Sequence, residues 1–138
     1  KQKELVLYLN QLAEALVKQQ HSSGLWYQVT DLGDKEGNYL EASGSSMIVY
    51  AIAKGVHKGY LTSNFEKIAQ NGFNGLITKL IKVDANGELH ITQVCKSAGL
   101  GGNPYRDGSY EYYMSEKVVT DNSHGLGAFL LAAIELDK

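Results

Sequence analysis

The chain has 138 residues, a formal net charge of −2 at pH 7 and 43% hydrophobic residues, room for one domain with a modest core but not for two. With no basic run or basic helical face, nucleic acid is not expected as a partner. The longest apolar runs, Met47 to Ala53 and Leu126 to Ile134, fall well short of the roughly 20 residues that span a bilayer, so no membrane span is expected. The opening residues carry no signal-peptide pattern. Cys95 is the only cysteine, which excludes an internal disulfide and a cysteine-rich metal site and leaves the compartment open.

From Lys3 to Gln20, Leu5, Leu9, Leu12 and Leu16 recur at steps of four and three, the pattern of an amphipathic helix. Its end is marked by His21-Ser22-Ser23-Gly24, and Leu25 to Val29 reads as a short strand or extended loop. Asp31 to Asn38 is a polar, glycine-punctuated loop. A second helix is predicted from about Glu41 or Ser43 to Lys58. Its centre, Met47 to Ala53, is apolar on every face and should be buried on all sides. Ser63-Asn64-Phe65-Glu66 has the form of a capping box before a third, amphipathic helix that carries Phe65, Ile68, Ala69, Gly72, Leu76 and Leu80 on one stripe. Asn86-Gly87 reads as a two-residue turn within a small β-hairpin near residues 81–92. Cys95 to Thr120 looks irregular and is rich in glycine and tyrosine. The last helix, from about Asp121 or Ser123 to Leu136, is apolar round most of its circumference.

The order amphipathic, buried, amphipathic, buried points to an all-α segment of an α/α toroid, in which outer helices have a wet side and inner ones are packed on both. A four-helix bundle would make all four equally amphipathic. Both long connections contain a Gly-Leu pair followed by aromatics and acids, a weak internal repeat. Four helices do not close a toroid, so the two apolar helices should keep an open flank that needs cover from a second copy or from a complementing N-terminal half.

Single residues carry little chemistry by themselves. Asp31, Asp34 and Glu36 lack calcium-loop spacing, and His21, His57, His90 and His124 lack zinc spacing, so no metal is expected. Ser43 to Ser46 reads as a helix start. The richest stretch is Pro104 to Tyr113. Arg106 offers a planar fork suited to a carboxylate, and the tyrosines offer apolar faces and hydroxyls suited to sugar rings. The alternative is an Arg106–Asp107 or Arg106–Glu111 ion pair that only stabilises the loop.

Several of these words, in order, resemble the later helical hairpins of glycoside hydrolase family 105, which is related to family 88. They are Ser23 to Val29, Asn38 to Met47, Tyr50 to Gly55, Ala98 to Gly102, Tyr105 to Tyr113 and Gly125 to Ala132. The resemblance implies that residues 1–138 are the C-terminal segment of a toroid of six helical hairpins. It implies a substrate with a terminal 4,5-unsaturated uronic acid, as polysaccharide lyases leave, and hydrolysis by hydration of the enol-ether double bond, without metal or organic cofactor. Unsaturated rhamnogalacturonyl and glucuronyl hydrolases belong there, and pectin breakdown is the matching role. The aspartic acid that protonates the double bond lies in earlier hairpins of that family and has no counterpart here. No catalytic residue is therefore assigned, and the chain alone is expected to be inactive. Trp26, Arg106, Asp107, Ser109 and Tyr110 are the expected substrate-binding residues, with Arg106 facing the uronate carboxylate. A non-catalytic carbohydrate-binding or self-assembling helical module is the alternative. A bacterial cytoplasmic, periplasmic or secreted location fits equally.

Overall fold

The computed structural model describes all residues 1–138. Four main helices dominate: α1 (Gln2–Lys18), α2 (Ala42–His57), α3 (Glu66–Gly75, prolonged by a π-helical turn over Leu76–Leu80) and α5 (Ser123–Leu136). The hairpin β1 (Ile81–Val83) with β2 (Leu89–Ile91), the strand pair β3 (Val94–Cys95) with β4 (Val118–Val119), and a short helix α4 (Tyr110–Ser115) lie between α3 and α5.

The inner pair is α2 and α5. They run parallel: Ser43 and Met47 at the start of α2 share a groove with His124 at the start of α5. At the far ends, His57 Nδ1 lies 3.1 Å from Glu135 Oε1. On α5 the buried stripe is Gly125, Ala128, Ala132 and Glu135, one helical face of mostly small side chains that lets the two backbones approach closely. Helix α1 shows the outer position. Ala13 is buried, with Val6, Leu9 and Leu16 half-buried on its stripe, while Leu5, Tyr8 and Leu12, one position round the helix, are exposed. The four-and-three repeat therefore splits between a face that packs on α2 and a face that packs on nothing. Only 26 of 138 residues are buried, a thin core for this length.

Both long connections lie at the end where α2 and α5 begin. The backbone N–H of Glu41 donates to the Trp26 carbonyl at 3.0 Å, and that of Ala42 donates to the Gln93 carbonyl at 2.9 Å. Residues 21–26 lie so close on α3 that Gly24, at φ +88°, has no room for a β-carbon: one would sit 2.1 Å from the Asn71 carbonyl oxygen.

Several expectations need correction. The capping box does not form. Ser63 to Phe65 is a 3-10 turn with no side-chain cap, and the Glu66 carboxylate instead accepts from Gln70. The β-hairpin is present, with Ile81 opposite Ile91, but its turn is longer than Asn86-Gly87 alone. The Asp84 N–H donates to the Glu88 carbonyl, and the Asp84 carboxylate accepts from the N–H groups of Asn86 and Glu88. An aspartate that folds back on its own turn competes well with the plain two-residue form. The stretch from Cys95 to Thr120 contains α4 and half of the β3–β4 pair. The helices that read as buried all round are not: Met47 on α2, and Leu126, Leu130, Leu131 and Ile134 on α5, are exposed. The α5 residues form the open flank that the four-helix count requires, whereas Met47 lines the groove shared with His124.

Candidate functional site

The residues expected to bind substrate do not all meet. Trp26 is 1% exposed, its indole N–H donates to the Leu16 carbonyl at 2.7 Å, and its backbone N–H donates to Ser45 Oγ. It is a core residue with its polar atoms satisfied and presents no surface to a ligand. The other four share one short stretch but have different tasks. Asp107 accepts from the Ser109 N–H at 2.9 Å, and this bond is the main reason its carboxyl titrates below the usual carboxylate range. Ser109 caps α4, its hydroxyl accepting from the Tyr112 N–H. The Tyr110 hydroxyl is shared between the carbonyls of Glu36 (2.8 Å) and Lys35 (3.0 Å), and Lys35 Nζ sits 3.8 Å above the Tyr110 ring. Tyr110 thus ties α4 to the Asp31–Asn38 loop. Lys35 also reaches Glu111 at 3.5 Å.

Arg106 differs. Its backbone pairs with Gly101 in both directions, closing a turn over residues 102–105, and Nε donates to the Gly101 carbonyl at 2.8 Å. The guanidinium lies against glycine: a β-carbon on Gly99 would come 2.6 Å from Nη1, and one on Gly102 would come 3.1 Å from Nη2. Neither Asp107 nor Glu111 pairs with it, so the ion-pair alternative for this loop is not realised. A half-buried guanidinium in a glycine cradle, with one nitrogen anchored and its fork free of a carboxylate, is prepared for a planar anion.

The cradle continues directly from a second feature. Gln28, Glu41, Ser43, Gly44, Met47, Cys95, Lys96, Ser97, Ala98 and His124 line a cavity of about 390 Å³ at the starts of α2 and α5, and Ala98 leads into Gly99. On its floor Glu41, 4% exposed, accepts from Ser43 Oγ (2.7 Å), the Cys95 N–H (2.9 Å) and the Gly44 N–H. The carboxylate therefore joins the start of α2 to strand β3 and fixes where residues 96–99 leave the sheet. Burial, helped by the nearby Glu41 carboxylate and opposed by Tyr39, pushes the Cys95 thiol up, which makes it a poor nucleophile. The neighbouring Tyr39 hydroxyl is buried without a hydrogen-bond partner, and that burial is the main reason it titrates well above the usual phenol range. Tyr112 closes the arrangement, its hydroxyl accepting from the Gly99 N–H at 3.1 Å.

Sequence reading missed Glu41, Gln28 and Lys96. Glu41 stood in the sequence only as a helix start, and its acid followed by Ala-Ser-Gly is an N-cap signal. Its second task, on Cys95, depends on a partner 54 positions away that no local pattern announces. Asp84, Glu88 and His90 form the group able to offer metal ligands. Here His90 Nδ1 lies 2.6 Å from Asp121 Oδ2, and Nε2 lies 3.6 Å from Asp84 Oδ2. The hydrogen bond to Asp121 is the main cause that raises the His90 pKa, and the ring is clamped between two carboxylates.

Every carboxyl group whose titration is clearly displaced, at Asp84, Asp107, Glu111, Asp121 and Glu135, is pushed down. A general acid working near neutral pH needs the opposite shift.

Residues 1–138 match the model of Glycosyl Hydrolase Family 88 over their whole length. Protein Atu3128 of Agrobacterium fabrum is 34% identical over 130 residues, which cover 90% of this chain and 56% of that protein. The chain thus spans only about half the length of such relatives. Among solved structures, a glycoside hydrolase from family 105 of C. acetobutylicum superposes with a TM-score of 0.93 at 47% identity, covering 97% of this chain and 38% of that one. A possible member of the same family from Salmonella enterica serovar Paratyphi A gives 0.77 at 26% identity, covering 96% and 31%. The helical-toroid fold and the resemblance read from the sequence both stand.

Proposed function

We propose, from the premise that the chain belongs to glycosyl hydrolase family 88, that it supplies the carboxylate-recognition part of a glycosidase acting on oligosaccharides that end in a 4,5-unsaturated uronic acid. The observation that carries this reading is Arg106, a guanidinium anchored through Nε, bedded on glycine and free of any carboxylate partner. A uronate presents the planar, singly charged group that such a fork accepts in a bidentate manner. The adjoining cavity, with Gln28, Lys96, Ser97 and His124 on its walls, offers hydroxyl, amide, cationic and imidazole groups to the rest of the sugar. Asp107, Ser109 and Tyr110 shape the loop beneath the ligand.

The reaction in this reading is hydration of the enol-ether double bond, in which an acid protonates one carbon and water adds to the neighbour. The resulting hemiketal opens and releases the remaining sugar. Glu41 has its oxygens occupied by three donors of the protein, and no displaced carboxyl group here is shifted toward acid catalysis. Binding is therefore assigned to these residues, and the proton donor to a part of the enzyme this chain does not carry. Rhamnogalacturonan fragments from pectin are the natural substrate class of this reading.

Incubation of the chain with an unsaturated uronyl disaccharide tests both halves. Titration calorimetry should show binding that Arg106→Ala removes, and absorbance of the double bond should stay constant. Turnover by the isolated chain would overturn the assignment of the acid elsewhere, and binding unaffected by Arg106→Ala would overturn the role of the cradle.

A further inference from the structure

Helix α4 has only six residues, too few to hold a helical shape without outside help. That help comes from two tyrosines that point apart. Tyr110 and Tyr112 stand two positions apart, about 200° round a helix of 3.6 residues per turn. On one side the Tyr110 hydroxyl donates to the carbonyls of Glu36 (2.8 Å) and Lys35 (3.0 Å). On the other the Tyr112 hydroxyl accepts from the Gly99 N–H at 3.1 Å. Hydrogen bonding to the Glu116 carboxylate is the main reason that hydroxyl titrates above the usual phenol range, and the Arg106 charge is near enough to oppose the shift. Tyr112 has therefore spent its one hydroxyl proton on the protein.

Gly99 is the residue on which the guanidinium lies, since a β-carbon there would meet Nη1 at 2.6 Å. Its N–H is held from α4 while its Cα faces Arg106, so any drift of Gly99 moves the surface on which the guanidinium rests. The bond from Nε to the Gly101 carbonyl fixes only one edge of the group; the tilt of the fork is left to the glycine face. Tyr112 is itself fixed at the backbone, where its N–H donates to Ser109 Oγ at 3.1 Å. A recognition group loses effect when displaced by more than about 0.5 Å or tilted by more than about 10–20°. We infer that Tyr112 is a positioning residue: through the Gly99 N–H it sets the tilt of the Arg106 guanidinium, and hence how well the fork meets a carboxylate. The consequence for binding rests on the carboxylate reading of Arg106; the effect on the guanidinium itself does not.

The test compares the parent with Tyr112→Phe, which removes one hydroxyl and keeps the ring, and with Tyr113→Phe, which removes a hydroxyl from the neighbouring ring 5.4 Å away. In calorimetry with an unsaturated uronyl disaccharide and its carboxyl methyl ester, Tyr112→Phe should weaken binding of the free acid by about 2- to 10-fold, the net worth of one hydrogen bond. Ester binding should stay unchanged. In heteronuclear NMR of the free chain, the Arg106 Nε–H of Tyr112→Phe should exchange with water faster than that of the parent. Tyr113→Phe should match the parent in both respects. The melting temperature of Tyr112→Phe should fall by no more than about 5 °C, because Gly99 is half-buried and its N–H can turn to water. The inference is overturned if Tyr112→Phe keeps the parental Nε–H exchange rate, or if it weakens acid and ester equally, as a merely structural loss would. A parent that binds acid and ester alike defeats the carboxylate reading on its own. Exchange then decides the positioning role: a faster rate confined to Tyr112→Phe upholds it, and the parental rate overturns it.

Discussion

The two long connections begin alike in sequence and end in opposite roles. Gly24-Leu25 leads to Trp26, and Gly99-Leu100 leads to Arg106; each is followed by aromatic and acidic residues. In the first, the backbone presses onto α3 at Gly24 and the tryptophan enters the core, with every polar atom paired internally. In the second, Leu100 is 70% exposed, and the glycines make a bed for a cation that the protein leaves unpaired. The contrast teaches that an aromatic in a loop beside a sugar-binding stretch is a substrate contact only if its polar atoms are left over. The indole N–H of Trp26 is already used; the guanidinium fork of Arg106 is not.

The contrast can be broken from either side. The largest effect is expected for Trp26→Ala, which empties the core and should destabilise the chain by about 3–5 kcal/mol, read as the urea midpoint. Glu41→Ala should follow at about 2–4 kcal/mol, since the buried Cys95 N–H loses its acceptor at about 1–3 kcal/mol and the half-buried Gly44 N–H at about 1 kcal/mol; Glu41→Gln, which keeps one acceptor oxygen, should lose less. Arg106→Ala should cost less, about 1.5–3 kcal/mol at most, because only the charge-assisted bond from Nε to Gly101 is lost. If Arg106→Ala were as damaging as Trp26→Ala, the two connections would share a structural role and the comparison would fail. Gly99→Ala offers a sharper version. It places a methyl where the guanidinium lies, so affinity for a uronate should fall while the fold survives.

The smallest effect concerns pH. The His90 pKa is raised and those of Asp84 and Asp121 are lowered, so the His90 contribution is complete below the ordinary histidine value of about 6.5 and disappears as pH rises through its raised value. The aspartate contribution is complete above about 3.9 and disappears as pH falls through the lowered values. The difference in melting temperature between the parent and His90→Gln should therefore be largest between those limits and vanish in alkali. A constant difference across pH would exclude the clamp.

Much of the architecture was legible because it is local. The step of leucines on α1, the all-apolar centres of α2 and α5, and the flanks of the hairpin each declare a period or a turn within a few residues. The open flank was legible too, since an apolar circumference on four helices cannot all be covered. What the sequence hid is non-local. Glu41 became a floor residue through Cys95, Trp26 became core through Leu16 and Ser45, and Val94-Cys95 became a strand only by pairing with Val118-Val119. Of the five residues expected to touch substrate, Trp26 is in the core and three serve the loop itself. Arg106 alone keeps its chemistry unused, and that follows from the glycines around it in space.

The most direct measurement compares affinity for an unsaturated uronyl disaccharide with affinity for its carboxyl methyl ester, in the parent and in Arg106→Ala. The parent should prefer the free acid by about 10- to 100-fold, the value of a charge-assisted hydrogen bond worth about 1.5–3 kcal/mol, and Arg106→Ala should bind both alike and weakly. Equal affinity of the parent for acid and ester would contradict the account, because the glycine-bedded guanidinium would then not be reading a carboxylate.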